Sequence, residues 1–254
     1  MTPEIEVHLV RHGETQSYFA DVGLTDQGAA QSRERGRRLA REVVDGERVR
    51  LLWAPTVRAL ETARHLGAGL QEGLAGRRVT LGEPEPAPDF RNFDVWTPSG
   101  PREPTQAHAD FRQAPRAEQP GSQTWLLEMD RFWALKAASG DPIAFWLRVP
   151  LLTFEPPAEV VRRLWGGLQR LAGQAAGATR VVCCTHSGPM RALAAAVLGE
   201  DVGEPDFGED LRLRLQPARD RAPATAVLTY RGAERRAIVP TGEATGGHDE
   251  GETR

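Results

Sequence analysis

The chain has 254 residues, 32 basic against 35 acidic side chains for a net charge of -3, with 40% hydrophobic and 26% charged residues. That is long enough to bury a core and too ordinary in composition for a wholly disordered or fibrous protein. The near-balanced charge supplies no global field for nucleic acid or an anionic membrane, so an anion has to be held locally.

From Glu4 to Val10 the β-branched and aliphatic residues predict a strand that stops at Arg11-His12-Gly13. A helix follows, capped by Thr25 and running through Ala29, Leu39 and Val43. A second strand, Val49 to Trp53, is closed by Ala54-Pro55-Thr56 and leads to a helix through Leu60, Ala63 and Leu66. Between Leu81 and Pro120 proline is frequent and apolar periodicity weak, which predicts a long loop or lid. Helical spacing returns from Ser122 to Ala138 with Trp125, Leu126, Met129, Trp133 and Leu135; Phe145-Trp146-Leu147 lies just beyond, and Pro156-Pro157 opens a helix through Val160, Leu164, Leu168 and Leu171. With Trp96, these tryptophans are expected to pack the inserted helix onto the body, or else to wall a substrate. A third strand, Arg180 to Cys184, ends at Thr185-His186-Ser187-Gly188, with Pro189 at the first position of the next helix.

Repeated strand, turn and helix predict an α/β three-layer sandwich, its mainly parallel central sheet flanked by helices, with an inserted lid-like segment. The expected organisation is one domain over residues 1–240 with the insert at about 96–150, then a tail at 241–254 that lacks large apolar residues and is expected to be disordered. Cys183 and Cys184 form no disulfide framework, match no metal spacing, and are expected to face opposite sides of a buried strand. The start lacks the pattern of a secretory leader, and no segment reaches the roughly 18 apolar residues of a membrane span. The expectation is a cytoplasmic protein with no membrane or nucleic-acid partner; oligomeric state is left open.

Three of these units carry a cationic or nucleophilic side chain directly after the strand or in the next helical turn: Arg11 with His12, then Arg58, then His186. In a parallel sheet such positions converge at the carboxyl ends of the strands. Two arginines and two histidines meeting at helix amino termini describe an anion pocket suited to a phosphoryl group. Gly13 and Gly188 permit close backbone approach. His65 and His108 match no motif and are read as structural, as is Glu61.

The segments Leu9-Val10-Arg11-His12-Gly13-Glu14-Thr15, Gly23-Leu24-Thr25-Asp26-Gln27-Gly28, Ala54-Pro55-Thr56-Val57-Arg58-Ala59-Leu60-Glu61-Thr62-Ala63 and Val182-Cys183-Cys184-Thr185-His186-Ser187-Gly188 occur in one order along the chain. Together they resemble the histidine phosphatase superfamily, in its phosphoglycerate-mutase-like branch. The resemblance implies His12 as a nucleophile that forms a phosphohistidine, with Arg11, Arg58 and His186 clamping the phosphoryl oxygens. Thr15, Gly13, Asn92, Ser187 and Gly188 complete the expected substrate-binding set. No metal and no cofactor are implied, and the expected partner is a small phosphorylated metabolite.

Ester hydrolysis also needs a proton for the leaving oxygen and a base for water. In the family a glutamate after the Arg58 helix does this, but the best alignment, Phe90-Arg91-Asn92-Phe93-Asp94, puts Asn92 there. An amide supplies no titrating proton near neutrality. Asp94 is the expected replacement, since in a strand it would share a face with Asn92; Asp89 is another candidate, and Asp110 or Glu128 on the insert others. Tyr18 is a second departure, where relatives carry asparagine. The reading is a metal-independent phosphatase acting on a small monoester. A phosphoglycerate-type mutase and an impaired protein that only binds phosphate compounds are the alternatives.

Overall fold

Strand β1 (Ile5–Arg11) is followed by α1 (Asp26–Ala40), whose Thr25 side chain caps it by accepting the Gly28 N–H, as the sequence predicts. Strand β2 (Arg48–Trp53) leads in the same way to α2 (Val57–Gly73), capped by Thr56 accepting from Ala59 N–H. The two helices touch backbone to backbone: a Cβ on Gly69 would lie 1.9 Å from the Arg33 carbonyl oxygen, so only glycine fits there. The computed structural model describes residues 5–113, 122–138, 140–175, 177–216, 218 and 223–240. The tail beyond Pro240, expected to be disordered, lies outside the described residues.

The stretch expected as a loop carries structure. Short strands β3 (Thr80–Leu81) and β4 (Glu85–Pro86) pair with β2 in parallel, and a 3-10 turn, Pro88–Phe90, follows. A hairpin, β5 (Val95–Thr97) with β6 (Gly100–Arg102), leaves the main sheet and opens into α3 (Pro104–Gln113). Proline opens the 3-10 turn and α3 rather than preventing them, since at a helix start its missing N–H costs nothing. Three helices complete this side, α4 (Ser122–Ala137), α5 (Pro142–Arg148) and α6 (Pro157–Gln174), the last two opened by proline.

Strand β7 (Thr179–Thr185) runs into α7 (Ser187–Leu198), which starts two residues earlier than expected. His186 therefore takes the cap position and Pro189 sits inside the first turn, where helix N–H groups lack partners in any case. Beyond the sequence motifs come β8 (Asp210–Gln216), β9 (Thr225–Tyr230) and β10 (Ala233–Ile238).

The main sheet has the order β10-β9-β8-β1-β7-β2-β3, with β4 also on β2. Its β1, β7, β2, β3 and β4 part is parallel, while β8, β9 and β10 extend it antiparallel. Successive residues of the parallel strands feed two separate cores. Leu9, Leu52 and Cys183 pack with α6 and α7 residues such as Leu164, Leu168 and Leu193. Val10, Leu51 and Cys184 pack with Leu39, Ala63 and Leu66 of α1 and α2. This period-2 division, apolar on both faces, makes the sheet the middle of three layers, and burial pushes both thiols up, out of the reactive range. Among the described residues no helix is long and apolar enough to cross a membrane.

The tryptophans divide between the two expected roles. Trp125 and Trp146 are buried in the core that β5 and α4–α6 share with the sheet, whereas Trp133 lines a cavity and Trp96 is 44% exposed.

Candidate active site

Parallel register brings the two histidines together. Arg11, the last residue of β1, lies opposite Thr185, the last of β7, so the next residue on each strand leaves the sheet side by side. His12 N–H donates to the Thr185 carbonyl at 2.9 Å, and the imidazoles of His12 and His186 stand 5.3 Å apart, edge to face. On the other side of β7, Ala54 N–H donates to the Cys184 carbonyl at 2.9 Å, which sets the β2 turn level with them and puts Arg58 in the first turn of α2. Arg11, His12, Arg58 and His186 are all at least nine-tenths buried and line one cavity of about 90 Å³ with Asn92, Ser187 and Gly188. A Cβ on Gly188 would come within 2.9 Å of the Phe93 ring, so this turn needs glycine to admit that neighbour.

The electrostatics suit a nucleophile and an anion. His12 Nδ1–H donates to the Gly13 carbonyl at 2.8 Å, which fixes the tautomer and leaves Nε2 with its lone pair. Burial, then the guanidiniums of Arg58 and Arg11, hold its pKa well below the ordinary histidine value, so the ring is neutral. His186 is pushed down too, by burial first and then by Arg58 and its other neighbours. The Arg11 guanidinium bonds Glu204 at 2.9 Å, the Tyr18 hydroxyl at 3.4 Å and the Pro205 carbonyl, and stacks 4.3 Å from the Phe207 ring centre. Arg58 bonds Asp21 at 3.0 Å and Glu103 at 2.5 Å. Nε of both arginines and Nδ1 of His186 are buried without a hydrogen-bond partner among the described residues. Buried donors left unpaired cost roughly 1–3 kcal/mol each.

Other expected residues fall elsewhere. Thr15 Oγ1 donates to loop carbonyls, including Gly23 at 3.1 Å, and closes the turn after β1 instead of lining the cavity. Gly13 likewise supports from outside, its N–H donating to Thr62 at 3.0 Å. Asp94, expected as the acid, is not at the cavity: its carboxylate pairs with Arg91 at 2.7 Å. The expectation assumed strand geometry at 92–94, but β5 begins only at Val95 and the preceding residues follow a 3-10 turn. Asp89 pairs with Arg170 at 2.5 Å, Asp110 with Arg102 at 3.4 Å, and Glu128 accepts from the Leu152 and Thr153 amides at 2.7 and 2.8 Å.

Two carboxylates that no motif marks do reach the cavity, Glu103 and Glu204. Glu103 stands just before α3, accepting from Thr105 N–H at 2.8 Å and from Asn92 Nδ2 at 3.0 Å. Its sequence signal is an acidic residue ahead of a proline that opens a helix. Glu204 accepts from Ser187 Oγ at 2.5 Å and Arg191 at 3.0 Å as well as from Arg11. Phe132, Trp133, Ile143 and Pro104 add apolar lining to the same cavity, and Lys136, the chain's single lysine, lies 4.8 Å over the Tyr18 ring.

A sequence model of the histidine phosphatase superfamily (branch 1) matches residues 7–124 and 127–210. Among curated proteins no sequence matches significantly. Among solved structures, "Mycobacterial hydrolase 1" shares 17% identity over 90% of this chain and 98% of its own, with a TM-score of 0.52. The mycobacterial glucosyl-3-phosphoglycerate phosphatase in complex with VO3 shares 18% identity over 92% and 96%, with a TM-score of 0.47. Phosphoglycerate mutase from Bacillus anthracis shares 13% over 94% and 93%, also at 0.47. At such identities the first likeness is one of fold.

Proposed function

The chain belongs to the histidine phosphatase superfamily (branch 1), and from that premise we propose that it hydrolyses a small phosphate monoester through a phosphohistidine on His12. The observation that carries the reading is the tautomer lock: a neutral, buried imidazole whose Nδ1–H is spent on the Gly13 carbonyl, leaving Nε2 as a nucleophile between two guanidiniums.

The phosphoryl group enters with its oxygens toward Arg11, Arg58 and His186 and the amino terminus of α7, where the helix dipole favours an anion. As charge spreads over these oxygens in the transition state, fixed cations already in place stabilise it without reorganisation. The guanidiniums supply the cationic charge here, and no metal is assigned. The apolar wall of Phe132, Trp133 and Ile143 faces the alcohol portion of the ester, which on this reading is small and carries apolar surface.

The test is phosphate release over a panel of small phosphate monoesters, with acid-labile phosphoprotein trapped by rapid quench. Wild type is expected to turn over and to carry label on His12; His12→Ala is expected to lose at least about 10⁴-fold in turnover and all of the label. Turnover that persists in His12→Ala would sink the assignment.

A further inference from the structure

A phosphohistidine mechanism leaves one requirement unmet by the residues above: the departing alkoxide needs a proton, and the attacking water must lose one. The titratable groups at the cavity are Arg11, His12, Tyr18, Arg58, Glu103, Lys136, His186 and Glu204. The arginines stay charged, His12 is the nucleophile, and His186 is one of the groups that face the phosphoryl oxygens, its pKa held low by burial and the nearby guanidiniums. Tyr18 is pushed above its ordinary value, chiefly by burial, which makes it a poor acid, and the Lys136 ammonium is spent on the Tyr18 ring, 4.8 Å from its centre. Among the described residues two carboxylates remain.

They differ in what holds them. Glu204 is the shared counter-ion of two guanidiniums, Arg11 and Arg191, and also accepts from Ser187. Losing Arg11 to a substrate would still leave it bonded to Arg191 at 3.0 Å. Glu103 has one cation, Arg58 at 2.5 Å, and its other partners are neutral: Asn92 Nδ2 at 3.0 Å, Thr105 N–H at 2.8 Å and the Thr105 hydroxyl at 3.5 Å. When a phosphoryl dianion takes its place on Arg58, the Glu103 carboxylate loses its counter-ion and gains a negative neighbour.

Asn92 is built to hold it. Its Oδ1 accepts the Phe93 N–H at 3.1 Å, so the amide cannot turn and Nδ2 faces Glu103. The backbone there is fixed in turn by Arg163, which donates to the carbonyls of Asp89, Arg91 and Asn92 at 2.7, 3.1 and 3.1 Å. We propose that Glu103 is the general acid and base of the reaction and that Asn92 positions it.

This inference rests on the phosphohistidine reading. In the first half-reaction the Glu103 carboxylic acid gives its proton to the ester oxygen as the P–O bond breaks and the Nε2 lone pair of His12 forms the P–N bond; the alcohol leaves and Glu103 is a carboxylate. In the second, water attacks phosphorus, Glu103 takes one of its protons, and the P–N electron pair returns to Nε2. Inorganic phosphate departs and the acid is restored.

The experiment compares wild type, Glu103→Gln, Glu103→Asp and Asn92→Ala on glycerol 3-phosphate, a poor leaving group, and p-nitrophenyl phosphate, a good one. In Glu103→Gln, turnover of glycerol 3-phosphate is expected to fall about 10²–10⁴-fold. With p-nitrophenyl phosphate the same variant should release about one equivalent of nitrophenolate in a burst and then stall, with phosphohistidine accumulating, because that alcohol needs no acid while water still lacks its base. Glu103→Asp keeps a carboxylate one methylene short and should fall between, which gives the answer if the glutamine variant does not fold. Asn92→Ala should lose several-fold more on glycerol 3-phosphate than on the first turnover of p-nitrophenyl phosphate, a leaving-group dependence that mere loosening of the fold does not produce. Folded protein is checked by far-UV circular dichroism and a cooperative thermal unfolding transition. Glu103→Gln within threefold of wild type on glycerol 3-phosphate, or equal losses on both esters with no burst, overturns this inference alone. A wild type that forms no phosphohistidine overturns the function and this inference with it.

Discussion

The cavity is built from two regions by two different means. On one side, β1, β2 and β7 each end in a turn that hands a side chain to the site, and register alone decides where Arg11, His12, Arg58 and His186 arrive. On the other, the segment from β5 to α5 contributes Glu103, Pro104, Phe132, Trp133 and Ile143 from a hairpin and three helices outside the main sheet, placed by packing against Phe93, Phe154 and the α6 core. In the proposed reaction the strand ends hold the phosphoryl group, and the cover supplies a carboxylate and an apolar wall. Chemistry common to any phosphate ester thus sits on the rigid half, and what depends on the alcohol sits on the other.

Breaking the strand-end half should cost most. Arg58→Ala removes a nearly fully buried guanidinium that meets the developing charge, and turnover is expected to fall about 10²–10³-fold. Because Asp21 at 3.0 Å and Glu103 at 2.5 Å would lose their shared cation, the loss should be accompanied by a rise in KM, as two carboxylates left without it repel the substrate. Steady-state kinetics on any ester that wild type turns over checks both; a variant with unchanged kcat would show that the guanidinium is only structural.

The same division governs what could be read from the sequence. Thr25 and Thr56 as caps, the three strand ends and the convergence of four side chains follow from local pattern, because a parallel strand that runs into a helix fixes the direction of the residues between them. β8 lies beyond the motifs, and its signal is the short alternation of Leu211, Leu213 and Leu215 with Arg212 and Arg214. Glu103 could not be ranked above Asp94 by any local rule. Its carboxylate meets Asn92, eleven residues earlier in the chain, only because α3 is turned back toward the strand ends by packing. Parity between Asn92 and Asp94 pointed the wrong way because residues 91–94 are irregular, and strand alternation does not apply there.

A smaller effect should separate the stability of the strand-end half from its chemistry. His8, fully buried on β1, donates through Nδ1 to Asp210 at 2.6 Å and through Nε2 to Glu6 at 2.9 Å, with Arg35 on Asp210, Arg180 and Arg212 on Glu6, and Glu42 on Arg212. Burial alone would lower its pKa, but the bonds to Asp210 and Glu6 outweigh it and raise the value above the ordinary 6.5. Glu6 is held down to about 2, burial being outweighed by the bond to His8 and the charge of Arg180, so it stays ionised across the range where His8 titrates. A histidine with a raised folded pKa stabilises fully below its unfolded value, and that contribution is lost as pH rises through the folded one. Thermal unfolding should therefore show the Tm gap between wild type and His8→Gln widest below about pH 6.5 and narrowing above it. A gap constant with pH would show that the cluster acts by packing alone.

The smallest expected effect is the sharpest test of the comparison. Asp94 is the acid that local reasoning selects, yet its carboxylate pairs with Arg91 at 2.7 Å on a half-exposed surface and is absent from the cavity lining. Such a pair is worth about 0–1 kcal/mol, and its loss leaves the Asp94 N–H to Glu155 bond, at 3.0 Å, in place because that bond uses the backbone. Asp94→Asn should accordingly keep kcat within about twofold and show no burst with p-nitrophenyl phosphate, while Glu103→Gln shows one. A large loss in Asp94→Asn with the leaving-group dependence of a missing acid would mean that residues 91–95 rearrange when substrate binds. The cover from β5 onward would then supply no acid, and would do no more than enclose the site.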